Sequence, residues 1–198
     1  GGWAGLRTTS GMVEKFPDLT GDIDSRAIFF TEGQSLDIAD VGEFTEGYAV
    51  PKYLNLSPSG VPGSDQTHVD TDFPMFRLAD AFLMYAEAIL RGGQGGDISE
   101  AVGQINQLRF RAYGDNSGDV SMADVDLDFI LDERVRELYW EGHRRLDLIR
   151  FGQYTDQGIW PWKGGVAEGR TTEKHRDIFP IPASDLLANP NLEQNDNY

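Results

Sequence analysis

Residues 137–152 read ELYWEGHRRLDLIRFG and place Glu141, His143 and Asp147 close together in the chain. Such a set could supply acid–base chemistry, part of a metal site, or ion pairs along a helix. If 126–150 is one helix, Leu131, Val135, Leu138, Leu146 and Ile149 form an apolar stripe that also contains Gly142. The glycine then reads as a place where a neighbouring helix approaches closely. At roughly 100° per residue, Glu141 and His143 point about 200° apart and cannot converge on one substrate atom. His143 shares a face with Arg136, Trp140, Asp147 and Arg150. There Asp147 could orient the imidazole as in a catalytic dyad, or bond His143 or Arg150 and fix the helix in place. No serine or cysteine nucleophile motif accompanies the pair, so the ion-pair reading is favoured.

Glu133, Glu137 and Glu141 repeat at i, i+4. A glycosidase needs two carboxylates facing each other across roughly 5–9 Å of cleft. Three on one helix face, with Arg134, Arg136, Arg144 and Arg145 in reach, read instead as ion-pair trim. Three histidines (His68, His143, His175) without an HExxH pattern give no zinc motif. The acidic loop 64–72 carries Asp65, Asp70, Asp72 and His68 but lacks the glycine and closing glutamate of a calcium loop, and reads as a solvated loop. The residues therefore predict no catalytic centre, no metal and no cofactor.

The elements that must position these residues are bounded by composition. The chain of 198 residues suits one domain with a substantial core, or a large piece of a bigger protein. A net charge of −16 disfavours nucleic acid and anionic lipid and favours a neutral or cationic ligand. With no cysteine, disulfides and thiolate zinc sites are excluded. No apolar run approaches the ~18 residues of a membrane span. The chain opens on GGWAGLRTTSG, without an initiator Met or a signal peptide, and reads as the interior of a longer protein whose targeting segment lies upstream.

Three stretches follow. Residues 1–72 are rich in Gly, Pro, Asp, Ser and Thr, with strand candidates at 26–30 (RAIFF) and 48–56 (YAVPKYLNL). Residues 73–150 are helical in pattern. Met75, Ala79, Phe82, Leu83, Ala86 and Leu90 mark a first helix, apolar over so wide an arc that it must pack on more than one side. A second helix spans 97–112, with Asp97 and Glu100 spaced as a capping box. The Gly-rich break between them and their alanines at packing positions resemble a tetratricopeptide hairpin. Residues 151–198 form a Trp/Pro-rich loop and an extended tail fixed by prolines.

Taken together, GGWAGLRTT (1–9), FRLADAFLMYAEAI (76–89), INQLRFRA (105–112), LDERVRELYWEGHRRLDLIRFG (131–152), WPWKGG (160–165) and FPIPASDLLANPNLEQN (179–195) resemble the C-terminal half of the SusD/RagB family. The ending QNDNY departs from the Pro-Gly that commonly precedes the family's last Tyr. The resemblance implies a mainly α fold with tetratricopeptide-like helical repeats, long loop excursions and a few short strands, one structural unit within a larger protein. It implies a surface-exposed lipoprotein of the outer membrane of a Bacteroidetes-type bacterium, its lipid anchor outside this sequence. It implies a lid on a SusC-like TonB-dependent transporter that captures glycans, or oligopeptides in the RagB branch, and does no chemistry. A helical-repeat scaffold with no small ligand is the alternative.

Glycan recognition needs flat apolar faces and planar hydrogen-bonding groups. Trp3 and Arg7 lie in a Gly-rich loop, where Trp3 either stacks on ligand or packs beneath the loop. Trp160 and Trp162, separated by Pro161, form a stacking platform or part of the scaffold. Tyr48 is a further aromatic candidate, with Tyr53 beside it in the loop-rich region.

Overall fold

A computed structural model describes residues 5–65 and 67–198. Helix is the main regular structure. The elements in order are β1 (Arg7–Thr8), α1 (Ser10–Val13), β2 (Tyr48–Ala49), α2 (Leu78–Leu90), α3 (Ile98–Tyr113), α4 (Leu127–Leu138), α5 (Arg144–Arg150) and α6 (Ala183–Ala188), with three short 3-10 turns. β1 and β2 pair antiparallel, Arg7 opposite Ala49 and Thr8 opposite Tyr48. The expected strand at 26–30 reduces to a single bridge between Phe30 and Ala49. A run of Asp and Gly turns on either side leaves no partner strand long enough to extend it.

The chain divides into two compact units, the first ending at Arg144 and the second spanning Arg145–Tyr198. In the first, α2 packs on α3 and α4. Its core is built by Leu83, Ala86, Ala101, Ile105, Ile130 and Leu138, each 2% exposed or less. Asp97 caps α3 as its sequence predicts, accepting from the backbone N–H of Ser99 and Glu100. Glu100 does not complete the box; its carboxylate accepts from the Tyr85 hydroxyl instead. Helix α2 carries its only two charges on its buried side, where Asp80 pairs with Arg134 at 2.8 Å and Glu87 with Arg91 at 2.8 Å. Its outward residues, Leu78, Ala81, Met84 and Ala88, are all apolar.

A second cluster joins Phe16, Ala27, Val135 and Tyr139. The Phe16 ring meets Phe29 and Tyr139 edge-on, at 5.3 and 5.7 Å between centroids, the geometry that aligns a ring's positive edge with another's negative face.

In the second unit, Lys163 is buried and donates to the carbonyls of Thr155 (2.8 Å) and Gly158. Gln194 holds Ile181 by both backbone groups, at 2.8 and 2.9 Å. The tail is not wholly extended: past Pro182 it winds into α6, since a proline is well placed just before a first helical turn.

The single helix expected over 126–150 is broken. α4 ends at Leu138, Tyr139 turns to an extended backbone, Trp140 takes φ +62°, Gly142 takes φ +81°, and α5 begins at Arg144. Gly142 is therefore a turn residue and not a packing contact: a Cβ there would meet only the Phe73 ring, at 3.9 Å. The two readings differ in sign for one substitution. Gly142→Ala in a continuous helix would add about 1 kcal/mol of stability. At this left-handed position it should cost about 1–2 kcal/mol, as measured by urea unfolding.

Candidate functional site

The break after α4 decides what its glutamates do. Glu133 and Glu137 face inward from α4, Glu141 comes from the turn, and all three are buried. Their partners are mostly not the arginines nearest in sequence. Glu133 takes Arg26 at 2.7 Å, Arg109 at 2.8 Å and, within α4, Arg136 at 2.8 Å. Glu137 takes Arg77 at 2.9 Å, Arg111 at 2.5 Å and Arg26 at 3.2 Å. Glu141 takes Arg77 at 2.7 Å and Lys52 at 2.7 Å. Asp24 closes the set by holding Arg26 at 2.7 Å. The row is ion-paired as its sequence suggests, but the pairs are buried and reach mostly distant arginines, so it is the polar centre of the first unit and not trim.

Burial pushes the Glu137 carboxyl up, but hydrogen bonds and charge from Arg111, Arg77 and Arg26 outweigh it and hold its pKa at about 2. Glu133 and Glu141 are lowered as well, burial again opposing the attraction of their cations. Burial lowers the Lys52 ammonium against the pull of Glu141. Its three donors go to Glu141 and to the carbonyls of Glu137 (3.1 Å) and Tyr139 (2.8 Å).

These contacts turn Trp140 outward. Tyr139 is buried and donates its hydroxyl to the Arg26 carbonyl at 2.7 Å, while Glu141 is tied to Arg77 and Lys52. Trp140, between two anchored neighbours, is left in the left-handed region and 39% exposed. A bulky residue at positive φ is strained and persists only where its surroundings over-determine it. Its ring lines a groove of about 240 Å³ with Tyr53, Leu54, Val69, Thr71, Asp72 and Phe73. Tyr53 and Phe73 are exposed. Tyr53 also belongs to a neighbouring cavity of about 300 Å³, walled by Lys52, Arg77, Arg111, Glu137, Tyr139 and Glu141 among others. Aromatic faces thus adjoin a charged recess. Among the described residues of the recess, Glu137 and Glu141 are already bonded by Arg26, Arg77, Arg111 and Lys52.

Residues 20–198 match the sequence profile of the SusD family. The chain belongs to that family. It is 43% identical over 159 residues to the starch-binding protein SusD of Bacteroides thetaiotaomicron, an overlap covering 80% of this chain and 27% of that protein. It is 36% identical to the SusD-like protein P38 of Formosa agariphila, covering 81% of this chain and 30% of the relative. Among solved structures, a SusD superfamily protein from Bacteroides vulgatus matches with a TM-score of 0.65 and 27% identity over 97% of this chain and 39% of that one. One from Parabacteroides distasonis matches with a TM-score of 0.66 and 25% identity over 98% and 42%. The chain thus spans less than a third of the length of these curated relatives.

Within this SusD-family chain, Arg7 and Tyr48 stand on the paired strands β1 and β2 of the first unit, and Trp160 and Trp162 lie in the second. Trp3 lies outside the described residues. Arg7 donates to the backbone carbonyls of Val41 (3.0 Å), Glu43 and Glu46, and its guanidinium lies 5.4 Å from the Phe44 ring centroid, so it staples the 41–46 loop. Tyr48 is half-buried in β2 opposite Thr8. Trp160 and Trp162 are half-buried in the second unit. The Trp160 ring lies 6.4 Å from that of Tyr154, with the Lys163 ammonium 4.5 Å from its centroid. Trp162 takes φ +66°. Asp147 bonds Arg150 at 2.8 Å, the ion-pair option of its two readings. In the acidic loop, Asp65 accepts from the N–H of Thr67 and His68, and Asp70 from Ser64, so both carboxylates close their own turns.

Sequence reasoning missed Trp140 and Phe73 because the helix assumption put Trp140 on a helical face. The Trp-Glu-Gly triplet before a second charged run was the available turn signal.

The charge cluster sets a pH dependence. A carboxylate held at about 2, against an ordinary 4.5, contributes stability that is fully present above pH 4.5 and is lost as pH falls toward 2. Acid titration of unfolding should show this loss across that window, and Glu137→Gln should flatten it. The same substitution removes a buried charge that pairs with buried Arg26 and half-buried Arg77, and should cost about 3–5 kcal/mol near neutral pH, measured by denaturant unfolding.

Proposed function

We propose that this chain is part of a non-catalytic glycan-binding protein of the SusC/SusD type. In that reading it captures oligo- or polysaccharide at the outer-membrane surface for delivery to a TonB-dependent transporter. Family membership and 43% identity to a protein named for starch binding support the ligand class. The observation that carries it on this chain is the exposed ring groove of Tyr53, Phe73 and Trp140. Flat apolar faces stack on the C–H faces of sugar rings, while neighbouring charged and amide groups bond hydroxyls. Anchorage in the outer membrane and partnership with a SusC-like transporter follow from the same family reading. Trp3, Arg7, Tyr48, Trp160 and Trp162 stand as further candidate contacts in the full-length protein.

Isothermal titration of the full-length protein with soluble glucans should show binding, and a reducing-sugar assay should show no turnover. Trp140→Ala and Phe73→Ala should each weaken affinity about tenfold, roughly the 1.4 kcal/mol expected of one lost stacking face, with unfolding midpoints confirming the fold. Unchanged affinity in both variants, with loss in Trp160→Ala or Trp162→Ala, would move the site to the second unit.

A further inference from the structure

The recess beside the aromatic groove reverses the sign of the chain as a whole. The protein carries −16, yet the walls of this cavity of about 300 Å³ bring Arg26, Lys52, Arg77, Arg111 and Arg136 against Glu137 and Glu141. The residues tied in behind the wall do not restore balance. With Asp24, Glu133 and Arg109 included, six cations face four carboxylates.

The surplus cannot be discharged internally. Both oxygens of Glu137 and of Glu141 already accept charged donors. Arg26, Lys52 and Arg77 are turned inward, their donors committed to carboxylates and carbonyls. Arg111 differs. Its Nη2 holds Glu137, its side chain is 53% exposed, and its Nε and Nη1 have no protein partner among the described residues. The Tyr53 hydroxyl, on the boundary between recess and groove, is also without a protein partner among those residues. A partly desolvated excess of positive charge is costly unless an anion approaches, and a charge-assisted bond to guanidinium is among the stronger polar contacts available.

We propose that the recess is a subsite for a sugar residue bearing an anionic substituent, with Arg111 contacting the anion and the rings of Tyr53 and Trp140 receiving neighbouring sugar faces. Net charge favours a neutral or cationic ligand for the protein at large; the local arrangement selects the opposite at this one place. The inference rests on the glycan reading and narrows its ligand class. A uronate carboxylate and a sulfate ester supply the same single charge, so both are probed.

The test titrates the full-length protein with a neutral maltohexaose, an oligogalacturonide of equal length, and a sulfated carrageenan oligosaccharide, at low and high salt. One or both anionic ligands should bind about tenfold tighter than the neutral one at low salt, an advantage that shrinks as salt screens it. Arg111→Gln should abolish the advantage by weakening the anionic ligands more than maltohexaose, while Arg111→Lys should retain part of it. Whichever anionic oligosaccharide carries the preference identifies the substituent. Binding of maltohexaose with no anionic preference, or a preference that survives Arg111→Gln, overturns the subsite and leaves the glycan reading intact. No binding of any oligosaccharide overturns both.

Discussion

Glu137 is the side chain around which the first unit is arranged. A carboxylate buried in protein is affordable only with several close cations, and here they arrive from separate parts of the chain: Arg26 from the loop after α1, Arg77 from the start of α2, Arg111 from α3. Each bond fixes the position of one segment against α4. Glu133 repeats the device one turn earlier with Arg26, Arg109 and Arg136, and Glu141 extends it to Lys52 and Arg77. Such a network adds little net stability over an apolar core of the same shape, since desolvation offsets most of the attraction. Its effect is to make register specific, because a displaced segment would leave a buried charge unmatched.

The same constraint produces the candidate site. Helix α4 ends one residue before Tyr139, whose ring is packed against Phe16 and Phe29 and whose hydroxyl is bonded to the Arg26 carbonyl. With Tyr139 and Glu141 both held, the Trp140 ring is directed outward at the cost of a left-handed backbone. Aromatic groove and cationic recess adjoin because one short turn, Tyr139 to Glu141, supplies residues to both. The scaffold and the binding surface are consequently not separable by mutation at the glutamates or at Arg111, which holds Glu137 with half of its side chain exposed, whereas Trp140 and Phe73 lie at the exposed edge.

What could be read in advance follows from the range of the forces involved. Helices α2 and α3 were legible because apolar spacing, the Asp97 cap and the glycines after Arg91 are local signals acting within a turn or two. Family membership was legible in six short segments, from GGWAGLRTT to FPIPASDLLANPNLEQN, that resemble the family in order. Composition and motif spacing also gave the absence of a nucleophile motif.

Tertiary structure alone decided the rest. Periodicity carried a helix through Glu141 and His143, because Leu146 and Ile149 continue the apolar stripe and nothing local forbids it; the pull of Arg77 and Lys52 on Glu141, from 64 and 89 residues away, is not written in that stretch. The partners of the glutamate row were likewise assigned to the arginines beside it, since sequence shows neighbours and burial selects distant ones. The strand at 26–30 failed for want of a paired edge, which only the folded chain could reveal. Sequence by itself determined the helical class, the Asp97 cap and the family; long-range charge pairing decided where the helix breaks, which way Trp140 faces, and that a recess of positive charge opens in an acidic protein.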